Sequence, residues 1–195
     1  EKKVIHKDDA EFSVFAVGLG VLGVIVRLTI VCEPLFNMEV IQEKRSFAQI
    51  EADFPTLLKE NDAFKFIWIP HTEDFMVWRG NRTDNKALSG TWEKVRDYGI
   101  NGIVINNIFH EFLLFFASFR RSLVPKINRL MSRLLMPEKS VSHWPSHWAF
   151  FLPHLLKQDV VEYAFPIEHT FTVFKELIET IKRENIYVDT PIEVR

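Results

Sequence analysis

Hydrophobic and polar positions fall into distinct regimes along the chain. Residues 12–26 (FSVFAVGLGVLGVIV) carry no charge. Their β-branched content, interrupted by Gly18, Gly20 and Gly23, predicts two buried strands joined at glycines. The run is too short and too broken for a membrane span. Residues 28–33 continue the second strand until Pro34 stops it. Residues 36–47 are strand-like at their start. Ile50, Phe54, Leu57 and Leu58 then recur at helical spacing, predicting a short amphipathic helix over 50–61. Two aromatic-rich strands come next, at 63–69 (AFKFIWI) and 74–79 (DFMVWR), paired as a hairpin across PHTE. Residues 80–90 are polar and turn-rich and predict a loop. That loop carries the sequon Asn81-Arg82-Thr83, which matters only in a secretory lumen. Residues 92–107 show no single period.

From Glu111 onward the pattern turns helical and basic. Phe119, Leu123, Ile127, Leu130, Leu134 and Leu135 recur at helical spacing, with Arg120, Arg121, Lys126, Arg129 and Arg133 on the other faces. Pro125 must start or kink a helix there. Residues 140–152 predict a Trp/His/Pro loop and 160–165 a strand. Residues 171–183 form a clean amphipathic helix, and 186–195 close the chain as a strand. Irregular alternation of strands and helices predicts an α+β fold with an antiparallel sheet flanked by helices.

Composition narrows the classes. Apolar residues make up 47% of 195, with 18 Phe, which supplies a sizeable core. Lys+Arg number 24 against 26 Asp+Glu, a balance that gives no reason to expect a nucleic-acid partner. The single Cys32 excludes an intrachain disulfide and reads as a small buried hydrophobe. The chain starts at Glu1 without a visible signal peptide and reads as a piece of a longer protein.

Four features carry candidate chemistry. GLGVLG at 18–23 matches G-x-G-x-x-G, but it leads into VIVRLTIVCEP rather than a helix, so the dinucleotide reading fails on context. Glycines for a tight turn and glycines for close backbone approach to a cofactor stay equally open. His143 and His147 sit four apart, but Pro145 lies between them and no acid or Cys completes a ligand set, so no metal site is expected. The basic stretch 119–136 suits a solvated amphipathic helix and an anionic membrane surface about equally. Glu193 and Arg195 share a face of the last strand; alone, such a pair is most often a solvated surface contact.

Taken together, four stretches resemble the aldonolactone oxidases. GLGVLGVIVRLTIVCEPLF is similar to the close of that family's FAD-binding domain, and FKFIWIPHTED to its strand ending in W-x-PHTE. VEYAFPIEH resembles its EYA-x-P-x-E strand, and IYVDTPIEVR its PIEVR strand. Order and spacing match over essentially the whole chain. The family is similar to the vanillyl-alcohol-oxidase flavoproteins. The resemblance implies that residues 1–35 are the last strands of a PCMH-type FAD-binding domain and residues 36–195 a truncated substrate (cap) domain. It implies FAD as cofactor, with Gly20, Gly23, Val24 and Ile25 as contacts, and Glu193 and Arg195 as the catalytic pair. The implied reaction converts L-gulono-1,4-lactone, D-arabinono-1,4-lactone or a related aldonolactone with O2 to an ascorbate-type product and H2O2. The family's flavin-linking histidine segment would precede Glu1 and its His-Trp segment would come after Arg195, which implies that the isolated chain is inactive. Membrane association in the endoplasmic reticulum, or a mitochondrial location, is a further implication. The contrasting expectation is a non-catalytic α+β domain that binds a partner or membrane surface.

Overall fold

The computed structural model describes residues 3–18, 20–86, 88–155, 157 and 160–195, in two compact units, 1–34 and 35–195. In the first unit, Phe12–Ala16 form a short helix (α1), and no strand occurs among the described residues. The two buried strands expected over 12–33 are therefore corrected. Val21, Val24, Ile25 and Val31 are exposed, and so is Cys32. A β-branched run becomes a strand only where a ladder partner is available, and the described residues of this unit supply none. Gly20 (φ 79°) and Gly23 (φ 140°) take left-handed backbone conformations that break the run further.

The second unit is built on a five-stranded sheet. Its strands are β1 (Asn37–Arg45), β2 (Ala63–Trp68), β3 (Phe75–Thr83), β4 (Lys139–Pro145) and β5 (Ile192–Val194). Their order is β4-β1-β3-β2-β5, and every pair is antiparallel. Between β1 and β2 lies α2 (Phe47–Glu60). Its start is set by a capping box, in which the Ser46 side chain accepts from the Gln49 N–H and the Gln49 side chain accepts from the Ser46 N–H. Helix α6 (Thr170–Arg183) lies beside α2 on the same sheet face. Period-two alternation sends Phe66, Trp68, Phe75 and Val77 to that face. There they meet Ile50, Leu57, Phe174 and Ile181 in one core, with Phe47, Phe54 and Phe171 at its margin. The rings meet edge-on or tilted more often than stacked; Phe54 and Phe171, for example, cross at 88° with centroids 4.9 Å apart.

A second helical layer starts with α3 (Thr91–Lys94), runs through a π-helical stretch Val95–Phe109, and continues as α4 (His110–Phe119). Asn107 secures the π stretch from inside: its Nδ2 donates to Gly102 and Pro153 carbonyls, and its Oδ1 accepts from the Leu155 N–H. The whole of Thr91–Phe119 is long and apolar enough, by length and composition, to cross a membrane. Ile108, Phe112, Phe115, Phe116 and Phe119 along it are exposed. After a short 3-10 turn, α5 (Val124–Leu135) opens with Pro125 in its first turn and packs Val124, Ile127 and Met131 against Ala117.

Three further expectations change. The loop expected at 140–152 is, through Pro145, strand β4, because seven residues find register partners on β1. The loop expected at 80–90 begins as the end of β3, where Asn81 is tied down: its Nδ2 donates to Asn61 and its Oδ1 accepts from the Asp62 N–H. The strand expected at 160–165 is irregular and exposed, with no ladder partner among the described residues. The closing strand is confined to Ile192–Val194.

Candidate functional site

The sheet has a second face, turned away from α2 and α6. Because cross-strand partners point the same way, the register places Lys65 opposite Trp78, Glu193 opposite Ile67, and Ala63 opposite Gly80 on this face. Arg195, two residues past Glu193, falls on the same side. Phe150 lies over Gly80, where an added Cβ would stand 2.8 Å from its Cε2, so only glycine lets the ring seat there. Ala63, Phe64, Lys65, Phe150, Glu193 and Arg195 enclose an open hollow of about 220 Å³. That is smaller than the usual small-molecule pocket and amounts to one wall of a site.

Its electrostatics are uneven. Lys65 Nζ reaches Glu193 Oε2 at 3.0 Å and sits 4.6 Å from the centre of the Trp78 ring. Arg195 Nη1 lies 4.0 Å from Glu193 Oε1, while its Nη2 donates to Glu162 Oε1 at 3.0 Å. The hydrogen bond and charge of Glu162, joined by the charge of Glu193, push the Arg195 pKa above its ordinary value, so the guanidinium is a permanent cation. The hollow thus presents two cations and the Glu193 carboxylate, with Glu162 at its rim. Such a wall suits a ligand with hydroxyl groups and an oxygen that gathers negative charge.

The β5 strand is held by the turn that ends β2. Within that turn the Trp68 indole N–H donates to the Thr72 carbonyl, the Thr72 hydroxyl donates to the Ile69 carbonyl, and the Asp74 N–H donates to the Thr72 hydroxyl. His71 takes a left-handed φ of 65°, and its Nε2 accepts from the Val188 N–H at 3.2 Å. From α5, Asn128 Nδ2 donates to both the Pro70 and Val188 carbonyls at 2.9 Å, and Ser132 donates to Asp74. PHTE therefore works as a latch on the chain entering β5. Burial, aided by the Arg129 charge, lowers the His71 pKa and keeps it the neutral acceptor this geometry needs. Burial lowers the His110 pKa as well, with Asp189 and the Asn106 backbone opposing; its buried Nε2 has no hydrogen-bond partner among the described residues.

Glu193 and Arg195 thus come together as expected, joined by Lys65, Trp78, Phe150 and Glu162, which the motifs did not single out. Lys65 is the lone charge in AFKFIWI, and a charge inside an aromatic strand is a signal that could have found it. Gly20, Gly23, Val24 and Ile25 belong to the first unit. A Cβ at Gly20 or Gly23 would meet nothing within 4 Å, and Val24 and Ile25 are exposed, so the backbone here is open to contact. His143 is on β4 with Nε2 3.3 Å from Glu39, and His147 lies in the turn beyond it, its ring centroid 6.3 Å from that of Trp148. Among the described residues, no three His, Cys, Asp or Glu side chains gather as a metal set.

The chain has recognisable relatives among known proteins. The D-arabinono-1,4-lactone oxidase family profile matches residues 28–195. L-gulonolactone oxidase of Scyliorhinus torazame is 34% identical over 178 residues, covering 91% of this chain and 39% of that protein. L-gulonolactone oxidase of Bos taurus is 31% identical over 94% of this chain and 41% of its own. D-arabinono-1,4-lactone oxidase of Saccharomyces cerevisiae is 28% identical over 97% and 37%. The chain spans about two fifths of the length of these curated relatives.

Proposed function

Since the chain belongs to the D-arabinono-1,4-lactone oxidase family, we propose that it is the substrate-domain part of an FAD-dependent oxidase acting on L-gulono-1,4-lactone or a related aldonolactone. O2 is the acceptor, and an ascorbate-type product and H2O2 are formed. The observation that carries this reading is the pairing of Glu193 with Arg195 on one sheet face, beside Lys65 and under Phe150. In this proposal, residues 1–35 close the flavin domain and residues 36–195 form the cap. Gly20, Gly23, Val24 and Ile25 would hold FAD through backbone and apolar contacts, and the bound flavin supplies the hydride acceptor.

The residues of this chain then have separable tasks. The Arg195 guanidinium stabilises negative charge that grows on substrate oxygen as a secondary alcohol becomes a carbonyl; such a donor is worth about 10²–10³ in rate. Glu193 accepts hydrogen bonds from lactone hydroxyls and fixes the ring against Arg195. Phe150 and Trp78 exclude water from one side of the hollow. Attachment to a membrane surface, in the endoplasmic reticulum or mitochondrion, is part of the same proposal. The exposed Ile108, Phe112, Phe115 and Phe119, ending at Arg120 and Arg121, suit an interface of apolar and anionic character, and the basic stretch 119–136 continues it. The decisive experiment purifies the full-length flavoprotein and measures H2O2 release with a panel of aldonolactones. Turnover that Glu193→Gln and Arg195→Met each cut by about 10² or more supports the assignment. A flavin-loaded protein that oxidises none of them overturns it.

A further inference from the structure

A lysine is rarely buried, and then almost always paired. Lys65 is 9% exposed, in the middle of an aromatic strand. Its ammonium is boxed by three groups: Glu193 Oε2 at 3.0 Å, the Trp78 ring at 4.6 Å and the Phe150 ring at 5.9 Å. The box divides the Glu193 carboxylate. Oε2 is committed to Lys65, and Oε1 is left toward Arg195 Nη1 at 4.0 Å. Arg195 is held differently, by an exposed ion pair with Glu162 in which both side chains are about two thirds in solvent. Exposed pairs of that kind constrain little. A buried ammonium between two rings has far less freedom, so the order at this site comes from Lys65.

We infer that Lys65 is a positioning residue for the oxidation: it clamps Glu193 through Oε2, so that Oε1 and the Arg195 guanidinium face the lactone as a separated pair. This rests on the reading of Glu193 and Arg195 as the site. Without the lysine, the carboxylate loses its buried partner and closes on the nearest cation, Arg195. That collapse occupies the two groups needed for substrate hydroxyls and for the growing negative charge. Lys65 therefore acts through Glu193, and its loss matters only while Glu193 is present.

The test uses the full-length flavoprotein as wild type, K65M, K65R, E193Q and the K65M/E193Q double variant. K65M is expected to lower kcat/KM by about 10–100-fold, mostly in kcat. K65R keeps a cation that stacks on Trp78 and is expected to recover to within roughly 5-fold of wild type. The double variant should be no more than about 2-fold worse than E193Q, since both remove one unit. Hydrogen exchange at the Glu193 and Val194 amides gives a second readout, faster in K65M and near wild type in K65R. If K65M does not fold, K65Q is read in its place. The inference is overturned if K65M keeps kcat and KM within about 2-fold of wild type, even with a lower Tm, or if the two losses multiply in the double variant. If the wild type oxidises no aldonolactone, the functional reading falls, and amide exchange at β5 alone decides whether Lys65 clamps the strand.

Discussion

Asn128 is the most informative residue to perturb outside the hollow. It is 1% exposed on α5, and its Nδ2 bridges two carbonyls from segments far apart in sequence, Pro70 in the PHTE turn and Val188 before β5. Asn128→Leu keeps the approximate volume and removes both hydrogen bonds, each worth about 0.5–1.5 kcal/mol net. Pro70 is fully buried, so its carbonyl is left without a partner at about 1–3 kcal/mol. One gain opposes this: Asn128 Oδ1 is buried without a hydrogen-bond partner among the described residues, and leucine relieves that cost. The net expectation is a loss of about 2–3 kcal/mol. Asn128→Asp should be worse, because it keeps the shape but turns an acceptor toward two carbonyl oxygens. The assay is urea denaturation of the full-length protein with hydrogen exchange at Ile192–Val194. Exchange there should accelerate more than in α2, because the latch holds β5 and not the Phe47–Glu60 helix. If N128L stays within about 0.5 kcal/mol of wild type, the scatter of neutral surface changes, or if α2 loosens as much as β5, the latch account is wrong.

Acidification should weaken the same region. Burial lowers the pKa of both His71 and His110 in the folded state, so the unfolded chain binds the proton more readily. Their contribution is complete above the unfolded value near 6.5 and is lost as pH falls from there toward the folded values. Burial pushes the Asp74 pKa up, but hydrogen bonds from Lys44 and Ser132, with the charges of Lys44 and Arg133, bring it below its ordinary value; its contribution is lost at lower pH still. Thermal melts between about pH 7.5 and 5 should show a falling Tm that His71→Gln makes shallower; a flat profile contradicts the assignment. The apolar ridge on α4 predicts that the full-length protein floats with anionic liposomes and that Phe115→Ser with Phe119→Ser reduces binding by about 10-fold or more. Equal flotation of the double variant rules out that ridge as the attachment surface.

What could be read from the chain depended on how local its cause was. Helix α2, expected over 50–61, and the β2–β3 hairpin were legible because apolar spacing and a turn at PHTE are short-range signals, while the Ser46 cap that starts the helix at Phe47 went unread. Strand β4 was not: SVSHWP carries Pro and His and reads as a loop, and only pairing with β1, about a hundred residues earlier, makes it a strand. The opposite failure occurred over residues 12–33, where strong β-branched propensity produced no strand among the described residues, since propensity without a ladder partner leaves backbone groups to water. The π-helical turn at Val95–Phe109 was hidden for a third reason, because it depends on Asn107 reaching carbonyls at Gly102 and Pro153. The site shows the same division. Glu193 and Arg195 share a face by strand alternation alone and were legible as a pair. Lys65 joins them only because β5 docks antiparallel on β2, with Glu193 opposite Ile67. A one-residue slip in that register would turn Glu193 and Arg195 to the helical face, among Phe66 and Phe174. The latch at PHTE prevents that slip by fixing Val188 from both sides, through His71 and Asn128. The motif that looks least chemical in the chain is therefore what makes the chemical one usable.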